Sequence, residues 1–180
     1  TIQTEPSAAE TAQTAKINLD LPAFLPDDYV PDSKQKLAHY RRISRMAEPA
    51  ELDEFAAGLA DRYGELPVEA VNLLGKTRLR VYASQLAMES VFIGDGYCKL
   101  DFGRDISYRL VQVSAVLEGV QGEKKVVSLQ PLAIVLNPPD RSIALKSITE
   151  ALATMASEPE RYIEEASAET GKTPERTPGR

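Results

Sequence analysis

SKQKLAHYRRISRMAEPAELDEFAAGLADRYGELPVEAVNLLGKTRLRVYASQLAM, from Ser33 to Met88, is the stretch from which the rest of the chain can be read. Its apolar residues return at three- and four-residue intervals, the spacing of one face of an amphipathic helix. That spacing predicts three consecutive helices. The first, Ser33 to Ala47, would turn Leu37, Tyr40, Ile43 and Ala47 inward. The second, Ala50 to Tyr63, would bury Leu52, Phe55, Ala56, Leu59 and Tyr63. The third, Pro67 to Met88, would bury Val71, Leu74, Tyr82 and Leu86. Asp32 or Ser33 can cap the first by accepting a free backbone N–H, worth about 1 kcal/mol. Gly64 stands where the second must stop, and Pro67 where the third tolerates proline in its first turn.

The outward residues divide by charge. Lys34, Lys36, Arg41, Arg42 and Arg45 make the first helix basic outside, and Glu51, Asp53, Glu54 and Asp61 make the second acidic. Pairing between them would favour a hairpin modestly, because exposed ion pairs are weak. The third helix has an interrupted stripe at Lys76-Thr77-Arg78, with Arg78 on the line from Leu74 to Tyr82. Two readings fit. Arg78 lays its stem on the core with its head in water, or it pairs with an acid of the second helix.

Before this stretch, Thr1 to Lys16 is polar and reads as a disordered linker. Ile17 to Leu21 alternates apolar and polar residues as a short edge strand does. Pro22, Pro26 and Pro31 then exclude regular structure as far as Asp32. After Met88 the period falls to two. Ser90–Ile93 and Tyr97–Phe102 flank Gly94-Asp95-Gly96, a hairpin turn signal. Asp105 to Leu117 is read as a helix capped by Asp105, although Val111, Val113 and Ala115 also alternate. Lys125–Leu129 and Leu132–Leu136 form a second hairpin, and Asp140 caps a helix to Ser157. Glu158 to Arg180 is charged, aperiodic and read as a disordered tail. The sum is an α+β fold: an N-terminal three-helix segment, then a small antiparallel sheet of two hairpins packed with helices.

Composition narrows function. The 180 residues carry a formal charge of −6, which makes a poor general phosphate binder. Hydrophobic residues at 43% suffice for a core, and no run approaches the roughly 20 apolar residues of a membrane span. The chain opens on Thr1 and is read as part of a longer protein. Cys98 and His39 are single, which excludes an internal disulfide and most histidine chemistry; both counts suit a cytoplasmic protein. Cys98 is expected in the core and His39 in solvent. No phosphate-cradling glycine loop with Lys-Ser or Lys-Thr is present. Asp27-Asp28 is read as satisfying turn amides between prolines rather than as an acid–base pair.

Four motifs carry a family resemblance: Ile17-Asn18-Leu19-Asp20-Leu21-Pro22 with Leu25-Pro26-Asp27-Asp28-Tyr29-Val30-Pro31, then Tyr40-Arg41-Arg42-Ile43, Asp61-Arg62-Tyr63-Gly64-Glu65-Leu66-Pro67, and Arg78-Leu79-Arg80. In this order and spacing the chain resembles the C-terminal domain of the bacterial transcription-repair coupling factors (the Mfd family), over residues 17–157. The resemblance implies a parent that is an ATP-dependent DNA translocase, using ATP and Mg in other domains. That parent displaces stalled RNA polymerase and recruits UvrA for nucleotide excision repair. It implies that this domain is no enzyme and needs no cofactor. Its role would be autoinhibitory, masking the N-terminal UvrB-like module of the same protein. The expected masking residue is Asp61, turned outward by the helix pattern, with Arg62 and Glu54 as secondary candidates; the other reading is that Asp61 and Arg62 only help end the helix and pair locally, and family members often carry an acid where this chain has Gly58. The alternative from the residues alone is a DNA contact through the basic face of the first helix.

Overall fold

The structure, a computed structural model, describes residues 14–164. The three predicted helices are present: α1 (Ser33–Arg45), α2 (Pro49–Tyr63) and α3 (Val68–Gln85). Asp32 caps α1, accepting the Gln35 N–H at 2.8 Å. Gly64 ends α2 at φ 89°, a region open to glycine, with its N–H on Ala60 O at 2.9 Å. Pro67 precedes α3 rather than lying inside it.

One sheet runs in the order β1 (Lys16–Leu19), β2 (Ser90–Gly94), β3 (Tyr97–Asp101), β6 (Leu132–Asn137), β5 (Glu123–Leu129). Both predicted hairpins form, and β3 joins them through antiparallel pairing with β6. The sheet is mostly antiparallel, because β1 is an edge strand parallel to β2. Val91, Leu100 and Ile134 share a register line and a face, and all are buried. They pack with Leu79 and Ala83 of α3, with Leu86 just past its end, and with Ile148 and Leu152 of α5 (Arg141–Ser157). Asp140 caps α5, accepting from Ser142 and Ile143 N–H at 2.8 and 2.9 Å.

A second core lies between the three helices: Leu25, Val30, Ile43, Met46, Leu52, Phe55, Leu59, Ala70, Leu73, Leu74 and Val81. Helix α3 therefore walls two cores. This corrects the one-sided stripe expected of it. Val71 is 51% exposed, while Thr77 is buried with its hydroxyl on Leu73 O. Leu37 is likewise 51% exposed and Ala47 is exposed; α1 turns His39, Tyr40, Ile43 and the following Met46 inward instead.

Other expectations change too. Asp105 caps nothing: α4 begins at Leu110 and runs to Leu117, with Arg109 at its N-cap. The residues before it form a short strand, β4 (Ser107–Tyr108), paired with β7 (Ile163–Glu164). The expected tail is thus ordered as far as Glu164, through a 3-10 turn at Pro159–Arg161 and a buried Tyr162. At the other end Ala15 is buried and Lys16 is in β1, so the body begins before the expected linker ends. The rest of both predicted disordered segments lies outside the described residues. No helix among the described residues is long and apolar enough to cross a membrane.

Candidate interaction surface

The Asp61-Arg62-Tyr63-Gly64 motif divides into a fixed half and a free half. Tyr63 donates its hydroxyl to Gln35 Oε1 of α1 at 2.7 Å, and its ring meets Tyr29 at 5.6 Å. Tyr29 in turn donates to Gly64 O at 2.9 Å. His39 lies edge-on to Phe55 and Tyr63, at 5.4 and 6.0 Å between ring centroids. It is half-buried, not solvent-exposed as the sequence suggested. Burial, with Arg62 and Arg42 nearby, holds its imidazole below the ordinary value. These bonds fix the end of α2 to α1 and to the proline-rich loop.

Asp61 and Arg62 stand on that fixed end. Glu54 and Asp61 are seven residues apart, so they share one line down the helix, separated by about 10 Å. The line runs opposite Leu52, Leu59 and Tyr63. Gly58 lies between the two acids, and a Cβ there would meet nothing within 4 Å. Glu54 and Asp61 form no salt bridge among the described residues. Arg62 lies off the line and covers the Tyr63 ring, its guanidinium carbon 5.3 Å from the centroid. The structure brings the two acids onto one exposed face and leaves Arg62 at its border.

Asp61 is also in an unfavourable place. The last turn of a helix carries partial negative charge from free carbonyls, which favours cations by about 0.3–1 kcal/mol and disfavours acids. Among the described residues Asp61 has no salt-bridge partner.

The Arg78-Leu79-Arg80 motif is structural. Arg78 pairs with Asp53 of α2, the second of the two readings open to it. Arg80 donates to Ile43 O and Met46 O at 3.1 and 2.9 Å, closing the C-terminal end of α1. Leu79 is fully buried in the sheet core. Sequence reasoning missed Arg80. Its signal was that the motif alternates arginine with leucine on a helix flanked by two apolar faces.

The expected α1–α2 ion pairs are absent among the described residues. Arg42 lies over the Phe55 ring at 5.3 Å instead, and Lys36 pairs with Asp27. Cys98 is buried as expected, and burial raises its thiol pKa, leaving it inert.

The TRCF domain family model matches residues 19–113, more than half of the chain. The chain belongs to the TRCF domain family. The transcription-repair-coupling factor of Haemophilus influenzae is 33% identical over 159 residues, covering 84% of this chain and 13% of that protein. That of Escherichia coli is 39% identical over 88 residues, covering 48% of this chain and 8% of that protein. This TRCF domain therefore spans about an eighth or less of the relatives it matches. A crystal structure of the C-terminal domain of transcription-repair coupling factor superposes with a TM-score of 0.70 at 19% identity, covering 80% of this chain and 94% of that one. The α+β fold read from the sequence is the fold of that domain.

Proposed function

We propose that this TRCF domain is an autoinhibitory protein-interaction element of a transcription-repair coupling factor. Its partner is the N-terminal UvrB-like module of the same polypeptide, held through the Glu54–Asp61 face of α2 with Arg62 at the border. While docked it hides the surface that recruits UvrA and restrains the motor; release accompanies engagement of RNA polymerase on DNA. The parent is a cytoplasmic ATP-dependent DNA translocase whose ATP and Mg sites lie in other domains.

The observation that carries this reading is Asp61 itself. An acid at the negative end of a helix, with no salt-bridge partner among the described residues and on a terminus locked by Tyr63 and Gly64, is disfavoured where it stands. A cation on a partner surface supplies the missing compensation. Interface charges of this kind set register and specificity more than affinity. A mask must also yield to a competing ligand, which suits a charged contact.

Asp61→Arg in the full-length parent is expected to raise basal ATPase and UvrA binding together. The isolated domain should keep or slightly gain thermal stability on Asp61→Asn, and should hydrolyse no ATP. Unchanged ATPase and UvrA binding in Asp61→Arg would remove Asp61 from the mechanism; turnover by the pure domain would refute its purely regulatory role. The second reading, a DNA contact through α1, loses two of its five cations to Asp27 and to the Phe55 ring.

A further inference from the structure

The outer face of α1 holds a second surface, separate from the acidic line of α2. Taking Ile43 as the inward direction, Lys34, Ala38, Arg41 and Arg45 fall within about 40° of the opposite direction. They stand at positions i, i+4, i+7 and i+11, one straight ridge about 16 Å long. All four are exposed. Lys34, Arg41 and Arg45 make no salt bridge among the described residues. Beside the ridge is a groove of about 390 Å³ lined by Ala38, Arg41, Arg42, Arg45, Met46 and Glu51. Glu51 does not neutralise it fully, because its carboxylate accepts the Ala47 and Glu48 N–H groups at the start of α2. Those N–H groups hold its pKa below the ordinary range. Leu37 borders the ridge on its other side, half exposed.

We propose that this ridge and groove dock an acidic amphipathic helix of a protein partner. Charge complementarity names the chemistry: three uncommitted cations in a line, in a chain of net charge −6. The ridge's periodicity is that of a helix, so Asp or Glu at i, i+4, i+7 and i+11 of a partner helix meets it in register. The apolar residues favour protein over nucleic acid. Leu37 and Ala38, both exposed, give an apolar side chain somewhere to bury, which a phosphate backbone does not use. A duplex carries one charge per about 1.7 Å and is repelled by the acidic remainder of the domain; a short peptide brings few charges.

The test uses the 180-residue chain, isotope-labelled, and a synthetic helical peptide with Glu at those four positions and Leu alongside. Three controls are the peptide with Gln for Glu, a 16-base-pair duplex DNA, and the Arg41→Gln/Arg45→Gln chain. Amide and Leu37 methyl shifts are followed at physiological salt. The expected result is saturable shifts confined to α1, Met46 and the first turn of α2. Affinity should fall at least tenfold for the Gln peptide and for the double variant. Arg41→Glu/Arg45→Glu should abolish binding, and because both residues are exposed its spectrum should stay dispersed. Should either variant lose its fold, Lys34→Gln with Leu37→Ser reads the same ridge. Shifts elsewhere, equal binding by the Gln peptide, no binding at millimolar peptide, or tighter binding by the duplex would each overturn the proposal.

Discussion

The two cores on either side of α3 are held in different ways. In the sheet core, Leu79, Leu86, Met88, Ile93, Leu100, Phe102, Leu117, Ile134, Leu136 and Ile148 are essentially inaccessible. Its order comes from apolar burial and ladder hydrogen bonds. The helical core is thinner. Val30 and Leu52 are fully enclosed and Leu25, Leu59 and Val81 nearly so, but much of its definition comes from polar side chains reaching across. Arg80 closes α1, Arg78 meets Asp53, Tyr40 accepts the Leu25 N–H at 2.8 Å, and Tyr63 reaches Gln35. Dense apolar packing tolerates little rearrangement, whereas a directional bond can be broken and remade locally. The lobe carrying both proposed docking faces is the one built from such bonds, and the sheet lobe is its anchor.

Leu100→Ala tests the anchor. It removes a fully buried side chain from the central strand pair, and about 2–5 kcal/mol should be lost. Denaturant unfolding should show one transition shifted as a whole, because α3 belongs to both cores. Arg80→Ala tests the polar lobe. Two carbonyls at the end of α1 lose their donor, at about 1–3 kcal/mol. Hydrogen exchange should speed up in α1 and α2 while β2, β3 and β6 keep their protection. Equal acceleration in the strands would erase the distinction between lobes.

The smallest effect is pH dependence at His39. Its imidazole is held below the ordinary value of 6.5 by burial and by Arg62 and Arg42. The unfolded chain then binds the proton more readily than the native one, so stability is present above pH 6.5 and falls as pH drops through the native value. Melting temperature should decline modestly below pH 6.5, less so in His39→Gln. The ring faces Phe55 and Tyr63 of α2 and lies near Arg42 of its own helix, so the loss should fall on the helical lobe.

Helix and strand types were legible wherever the period was long and clean. The α1–α3 run, both hairpins and α5 with its Asp140 cap were all visible in spacing and turn chemistry. The acids of the proposed masking face were legible too, since the pattern that turns Leu59 inward turns Asp61 outward. Failures came where a distant partner decides. Ile106 and Leu110 fitted a helix, yet Ser107–Tyr108 is extended because β7 arrives from the far end of the chain to pair with it. Tyr108 is held there by its hydroxyl on Leu86 O at 2.6 Å. Nothing local announces either bond.

Which residues can form helices and strands is largely a matter of local spacing, caps and backbone preference, and the amino-acid order of this TRCF domain contains it for α1–α3, both hairpins and α5, though not for β4. Which faces those elements bury depends on how many neighbours pack around them. Leu37 and Val71 lie outside, Thr77 lies inside and Arg80 ties off another helix because α3 is wedged between two cores. A periodicity records only that a helix has a buried side; the number and direction of its buried sides are set when the rest of the molecule closes on it.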